Sequence, residues 1–505
     1  LCMMKTVRLS PEDIDFFRLV AQAAVCNPFG DDRGAMDLKI AQCSEAVSVE
    51  QRMERVKTRV RERVSRLQRD GRADIRRYHG EERTVMRSAF LFNAFHCFSK
   101  QFDQLILDQI ETGDTPCVVT FARDALAMLA GHGFTAAEAD RFLAILYQLH
   151  RAYFFIDQEL IGQSRSMKGL RLHLWNNVFT HDIVLYERYL WNRMEDFSTF
   201  LLGETGTGKG TAAASIGRSG FIPYDRKKGR FSESFTRNFI SVNLSLYPES
   251  LIESELFGHK KGAFTGAIEQ HQGIFARCTP HGAIFLDEIG DVSVPVQVKL
   301  LQILQDRTFS PVGSHENIRF NGRVIAATNR PLDALRRKGH FRNDFYYRLC
   351  SDCIVVPPFR QRLQEDPKEL DAMLMHVIKR LIGEASPELV QMAREGLRAN
   401  LGPDYPWPGN VRELEQGVRR VLLTKEYQGD YSATASDVKG RLLSGLESGS
   451  LDAQELLSGY CSMLYERFGN YQEVSRRMKL DRRTVKRYVE LSKGAEPKLS
   501  PPRCR

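Results

Sequence analysis

The chain has 505 residues, 42% hydrophobic and 27% charged, which excludes wholesale disorder and exceeds one core, so about three domains are expected. A formal net charge of +9 favours a polyanionic partner, and ten cysteines without a regular frame speak for a reducing, cytoplasmic compartment rather than a disulfide scaffold. No apolar run approaches the ~18 residues of a membrane-spanning helix, and charges interrupt the apolar stretches near the N-terminus, so neither a membrane partner nor a leader peptide is expected.

Residues 1–168 read as helical. Val49, Met53, Val56, Val60, Val64 and Leu67 recur at alternating steps of four and three, with Arg and Glu between them. The spacing fits an amphipathic helix docked on its own domain, or a short dimerising coiled coil, and the brevity of the run favours the first. The Arg-rich face from Arg52 to Arg77 reads as solvated. Phe is dense between Phe90 and Phe102 and returns at Tyr153-Phe154-Phe155. Such clusters are ordinarily core, and a ligand pocket is the alternative.

From 169 to 354 the pattern becomes α/β. Phe200-Leu201-Leu202, Phe239 to Val242, Ala283 to Leu286 and Val324 to Ala327 are short apolar runs that end in polar residues. Buried strands with chemistry at their C-terminal ends are what an open parallel sheet flanked by helices requires. Residues 355–428 return to helix, 429–450 form a hydrophilic linker, and 451–505 make a small basic helical module. Cys350 and Cys353 are a lone CxxC, which without a second ligand pair reads as reduced thiols rather than a zinc site.

Gly203, Glu204, Thr205, Gly206, Thr207, Gly208 and Lys209 keep the spacing of a phosphate-binding loop between a strand and a helix. Glycines let backbone amides curl around phosphates, and Lys209 neutralises them. The position after the lysine usually carries a hydroxyl for Mg2+. Here it is Gly210, with Thr211 one step later, so the metal has to rely on the acidic pair Asp287-Glu288 at the end of its strand. Asp287 is assigned to Mg2+ and Glu288 to the attacking water.

These motifs, together with Gly262-Ala263-Phe264-Thr265-Gly266-Ala267, resemble the bacterial sigma-54-dependent activators, enhancer-binding proteins of the AAA+ superfamily. The resemblance covers about 250 residues with its motifs in register. It implies an AAA+ α/β core over 169–354, a helical lid over 355–428, and ATP with Mg2+ as cofactors. Thr328-Asn329 resembles sensor I, which reads the terminal phosphate. Asn243 resembles a switch asparagine that holds the catalytic Glu, and Arg412 resembles sensor II. Arg342 and Arg348 resemble arginine fingers presented to a neighbouring subunit. The hexapeptide 262–267 resembles the loop tip that presses on sigma-54. The implied mechanism is a ring, typically a hexamer, that remodels the sigma-54 RNA polymerase closed complex. The resemblance is broken at Gly210, where relatives commonly carry Glu.

The C-terminal module reads as three helices. Leu456, Leu457, Tyr460, Leu464 and Phe468 form an apolar stripe on the first, and Asn470 is expected to cap the second. Between 470 and 493 there are eight Lys or Arg against three acids. The segment resembles a Fis-type helix-turn-helix, with Arg482, Arg483, Thr484, Lys486 and Arg487 as candidates for contact with double-stranded DNA. A solvated helical cap is the bland alternative. Lys479 stands at the turn, where Gly is usual.

Two other functional readings stay open: an AAA+ remodelling ATPase for a different target, and a DNA-binding regulator with a silent ATPase. By position residues 1–168 are expected to restrain the ATPase or its ring, so that deleting them raises activity.

Overall fold

The computed structural model describes residues 8–402, 405–429, 442, 446 and 451–492. Almost all of the expected linker, 429–450, lies outside them.

The N-terminal third is helical, as its composition predicts: α1 (Pro11–Val25), α2 (Asp31–Ala41), α3 (Val49–Arg69), α4 (Gly80–Cys97), α5 (Ser99–Thr112), α6 (Ala122–Gly131), α7 (Ala136–Gln158) and α8 (Arg165–Phe179). Local chemistry sets several starts. Ser10 accepts from the Asp13 amide, and Thr135 with Glu138 forms a reciprocal capping box at α7. The heptad residues of α3 dock on their own domain: Val56, Val60, Val64 and Leu67 are buried, while Val49 is 69% exposed. On the polar side Arg63 and Arg66 both reach Asp13 at 3.0 Å.

The expected boundary at 168 falls inside α8, which runs unbroken from Arg165 to Phe179. The N-terminal core also takes in Ile222, Phe231 and Phe235 from beyond the phosphate-binding loop.

Next comes a five-stranded sheet. Its order is β4 (Phe239–Asn243), β5 (Ala283–Asp287), β8 (Arg323–Thr328), β1 (Thr199–Leu202) and β9 (Asp352–Val355), with every pairing parallel. Two short antiparallel pairs lie outside it, β2 (Tyr224–Asp225) with β3 (Arg230–Phe231) and β6 (Thr308–Phe309) with β7 (Ile318–Arg319). Alternation divides the apolar runs between two cores. Phe200, Ile284, Leu286, Val324 and Ala326 join the first, and Leu201, Phe285, Ile325 and Ala327 the second. The second core is covered by helix Lys209–Gly217 and by residues of α7 and α8, including Ala152, Ile156, Leu170 and Leu174.

The lid consists of helices Phe359–Glu365, Glu369–Ile382, Pro387–Arg398 and Asn410–Thr424 around Leu374, Val377, Leu397, Leu414 and Val418. A buried ion pair joins it to the loop between α7 and α8. Arg362 meets Glu369 at 2.6 Å and donates to Ile161 O, also at 2.6 Å, while Glu369 accepts from the Ser164 amide at 2.6 Å. Gly162 passes here with φ +115°, and a Cβ on it would stand 2.1 Å from Glu369 Oε2.

Three terminal helices, Ala453–Phe468, Tyr471–Met478 and Arg482–Ser492, pack around Cys461, Leu464, Val474, Val485 and Val489. The expected stripe on the first is rotated. Cys461 replaces Tyr460, which is 44% exposed, because one step along a helix turns the side chain away from the two partner helices. Asn470 caps the second helix by accepting from Gln472 N at 2.8 Å. Lys479 adopts the left-handed turn conformation, with φ +54°.

Candidate nucleotide site and its exposed loop

The chemistry gathers at the C-terminal ends of β1, β5 and β8. After β1 the backbone turns left-handed twice, with φ +79° at Gly206 and +100° at Gly208. Lys209 opens the next helix and folds its ammonium back on the loop, donating to Gly203 O at 2.8 Å and Glu204 O at 3.1 Å. Burial lowers its pKa, while Glu288 and Asp287 pull the other way. Thr207 closes the turn by donating to Glu204 O at 2.9 Å. Gly210 lies in the first helical turn, followed by Thr211, and open space surrounds the point where its Cβ would be.

Asp287 ends β5, where burial raises its carboxyl pKa against the pull of Lys209. Glu288 follows in a left-handed conformation, φ +55°, sparsely populated for a side chain of its kind. Asn329, just past β8, joins the parts. Its amide donates to Glu288 Oε2 at 3.3 Å, and its Nδ2 donates to Thr205 Oγ1 at 2.7 Å. Thr328 is buried beside it and accepts from Arg330 N at 3.2 Å.

The lid closes the far side. Val411 N donates to Gly206 O at 3.1 Å, and Asn410 Nδ2 reaches Thr205 O at 3.0 Å and Glu204 Oε2 at 3.1 Å. Arg360 pairs with Glu204 at 2.7 Å. Arg412 acts as a nearby cation on both Lys209 and Asp287. The sequence reading missed Arg360 and Asn410. Asn410 stands two residues before Arg412, within the same short motif, whereas Arg360 has no local signal because its partner is 156 residues away.

Three candidates stand apart. Asn243 is in register with Asp287, yet its carbonyl accepts from Ser245 N at 3.0 Å and Ser245 Oγ at 2.7 Å, capping the next turn. Among the described residues it makes no bond to Glu288. Arg342 pairs with Asp344 at 2.7 Å, and Arg348 donates to Leu304 O at 2.9 Å, so neither bonds to this chain's own phosphate-binding loop.

The site suits a nucleotide with a hard divalent cation. It offers a glycine cradle with open space beside Gly208, an ammonium aimed at the loop, and two adjacent carboxylates at a strand end. Cys350 and Cys353 offer a metal little, since burial pushes the Cys350 thiol up to about 12.

Residues Gly262 to Ala267 form a tight reversal. Gly262 N donates to Ala267 O at 2.8 Å and Ala267 N to Phe264 O at 3.0 Å. Gly262 and Gly266 hold φ +79° and +99°. Ala263 and Thr265 occupy the turn, and Phe264 is 38% exposed, its ring meeting that of His259 edge-on with centroids 4.9 Å apart. Ile268, one residue past the motif, is 77% exposed and was not singled out from the sequence.

On the last helix Arg482, Arg483, Lys486 and Arg487 are exposed. Thr484 is different: its amide donates to Asp481 at 3.0 Å and its hydroxyl also goes to that carboxylate, so it serves as part of the helix cap.

Residues 186–354 match the family described as the Sigma-54 interaction domain. The chain is 41% identical over 231 residues to the Nif-specific regulatory protein of Klebsiella pneumoniae, covering 46% of this chain and 40% of that protein. It is 39% identical over 280 residues to the sigma54-dependent transcriptional activator SfnR of Pseudomonas putida, covering 53% of this chain and 69% of the relative. The chain thus spans well under half the length of the Nif-specific relative. A solved structure of NtrX from Brucella abortus in complex with ATP aligns over 74% of this chain and 80% of that chain at 20% identity. Its TM-score of 0.41 is too loose to argue from.

Proposed function

The chain belongs to the sigma-54-dependent transcription activators, and from that premise we propose that it hydrolyses ATP in a hexameric ring to remodel the sigma-54 RNA polymerase closed complex while bound to upstream DNA. One observation carries the reading. One chain joins a cradle of loop, carboxylates and lid to a glycine-bounded tip that exposes Phe264 and Thr265.

ATP supplies the bond whose cleavage drives the cycle, and Mg2+ supplies the charge that screens its phosphates. Gly203 to Gly208 wrap the phosphates, Lys209 neutralises them and Asp287 holds the metal. Glu288 polarises the attacking water, kept in place by the amide of Asn329. Because Asn329 also grips Thr205, a shift of the loop on nucleotide binding is felt at the catalytic carboxylate. Arg412 reports lid closure. Arg342 and Arg348, free of their own loop, serve the neighbouring subunit, where a guanidinium is worth roughly 10³–10⁵ in rate. Asn243 supports β4 beside Asp287 and releases Ser245 when it turns to Glu288. Arg482, Arg483, Lys486 and Arg487 take DNA phosphates and groove edges, with Thr484 holding their helix start.

The test is a native gel of the full chain with sigma-54, with ADP and aluminium fluoride present. A nucleotide-dependent complex that disappears with Thr265→Ala supports the reading. ATP turnover without any complex assigns the loop to another target, and an inert ATPase with intact DNA binding leaves a purely DNA-bound regulator.

A further inference from the structure

The helical N-terminal domain contains a cavity of about 680 Å³. Small-molecule sites fall at roughly 300–1,000 Å³, and packed interiors do not otherwise leave space of this size. Its wall is aromatic. Phe29 stacks on Tyr153 at 5.5 Å and meets Trp175 edge-on at 6.1 Å, and Phe92 lies 4.4 Å from the ring of His96.

Most charges that line the cavity are already matched. Arg33 pairs with Asp37 at 2.9 Å, Arg87 with Glu187 at 2.5 Å, and His150 stands 3.7 Å from Asp103. Among the described residues Asp31, Arg52, Lys168 and Asp157 are not matched, and of these Asp157 stands on the same helix as Tyr153. Asp157 lines the cavity one helical turn from Tyr153, and among the described residues it makes neither an ion pair nor a hydrogen bond. Burial raises its pKa, with Arg171 the opposing charge. A carboxyl group with free acceptor oxygens beside stacked rings is complementary to a flat molecule that carries a donor.

We propose that this cavity binds a small planar nitrogen heterocycle that lies among Phe29, Tyr153 and Trp175 and donates an N–H to Asp157. The position of the site gives it a readout. Tyr153 and Asp157 belong to α7, and other residues of α7 clamp the end of the helix that starts at Lys209. Arg151 donates to Arg218 O and Gly220 O, both at 2.6 Å, and Gln148 donates to Ser219 O at 2.9 Å. A ligand that shifts α7 therefore moves the helix that carries the phosphate-binding lysine. This coupling rests on the ATPase reading above; the binding site does not.

The experiment is ligand-observed NMR on the full chain with benzimidazole and with 1-methylbenzimidazole, which keeps the ring system and lacks the N–H. Saturable binding of benzimidazole, about tenfold weaker for the methylated probe and equally weakened by Asp157→Ala, is the expected result. Equal binding of the two probes, indifference to Asp157→Ala, or no saturable binding by the wild-type chain overturns the proposal. Ala24→Phe, which fills the cavity, should abolish binding, and the comparison of the two probes stands if that variant does not fold. ATP turnover measured in parallel separates the two claims. A change at saturating benzimidazole supports the coupling, and unchanged turnover with binding intact overturns the coupling alone. Absence of turnover without any probe counts against the ATPase reading instead.

Discussion

Asp287 keeps its carboxylate where the fold resists charge. Its pKa is raised by burial, so its contribution to stability is complete below the unfolded value of about 3.9 and is lost as pH rises through the higher folded value. At neutral pH the ionised group is a net burden on the nucleotide-free protein. Asp287→Asn should therefore raise the melting temperature while removing ATP turnover, and a lowered melting temperature would contradict the account. The loop glycines divide in the same way. Gly210 has open space around it in a helix with ordinary backbone angles, so Gly210→Ala should stabilise by about 0.5–1 kcal/mol in a denaturant titration. Gly206→Ala should do the opposite, because at φ +79° its Cβ would stand 2.2 Å from Gly409 O. In the sequence Gly206, Gly208 and Gly210 are indistinguishable beyond their spacing. The lid, two hundred residues further along the chain, sets Gly206 apart, and a left-handed φ of +100° separates Gly208 from Gly210.

Among the elements, two lid carboxylates hold the seam to the start of α8: Glu365 accepts from the Ser166 amide at 2.6 Å, and Glu369 is the buried one. Glu369 is fully buried, pairs with Arg362 and receives the Ser164 amide. Glu369→Ala leaves a buried guanidinium without its counter-charge, and the expected loss is about 3–5 kcal/mol, read from the shift in unfolding midpoint. Four of the five sheet strands were legible as apolar runs between polar ends, three of them buried on both faces and β4 an edge strand with Ser241 exposed. β9 was not, since Asp352–Val355 is short, opens with a charge and has Val355 63% exposed. The expected boundary at 168 falls within α8 for a related reason. Arg165 to Phe179 carries no breaker beyond Gly169, and nothing local says that its apolar face belongs to the sheet. Motif spacing foretold which segments meet at the strand ends, where Lys209 folds onto its loop and Asn329 bridges Glu288 and Thr205. Arg360 shows the limit, since its partner Glu204 is set by packing between distant segments, while Asn243 caps its own next turn.

For the whole molecule, pH and truncation are the informative perturbations. His96 and His132 are held neutral by burial, with pKa values below the ordinary 6.5. Such groups contribute stability that is present above about pH 6.5 and is lost as pH falls through their folded values. The melting temperature should therefore drop between pH 7 and 5, and His96→Leu should flatten that slope. Removal of residues 1–168 was expected to release the ATPase. It would instead strip α7 from helix Lys209–Gly217, uncap the carbonyls of 218, 219 and 220, and bare Ile222, Phe231 and Phe235. The expected product is an insoluble fragment, checked by the soluble fraction on expression against the full chain. The Arg151 clamp also bears on heredity. A gene fusion that exchanged this N-terminal domain for another would have to carry the 218–235 segment with it, or invent a new stopper for the end of helix Lys209–Gly217. The two segments are thus constrained to be inherited as one piece, and recombination near residue 168 should leave few viable offspring.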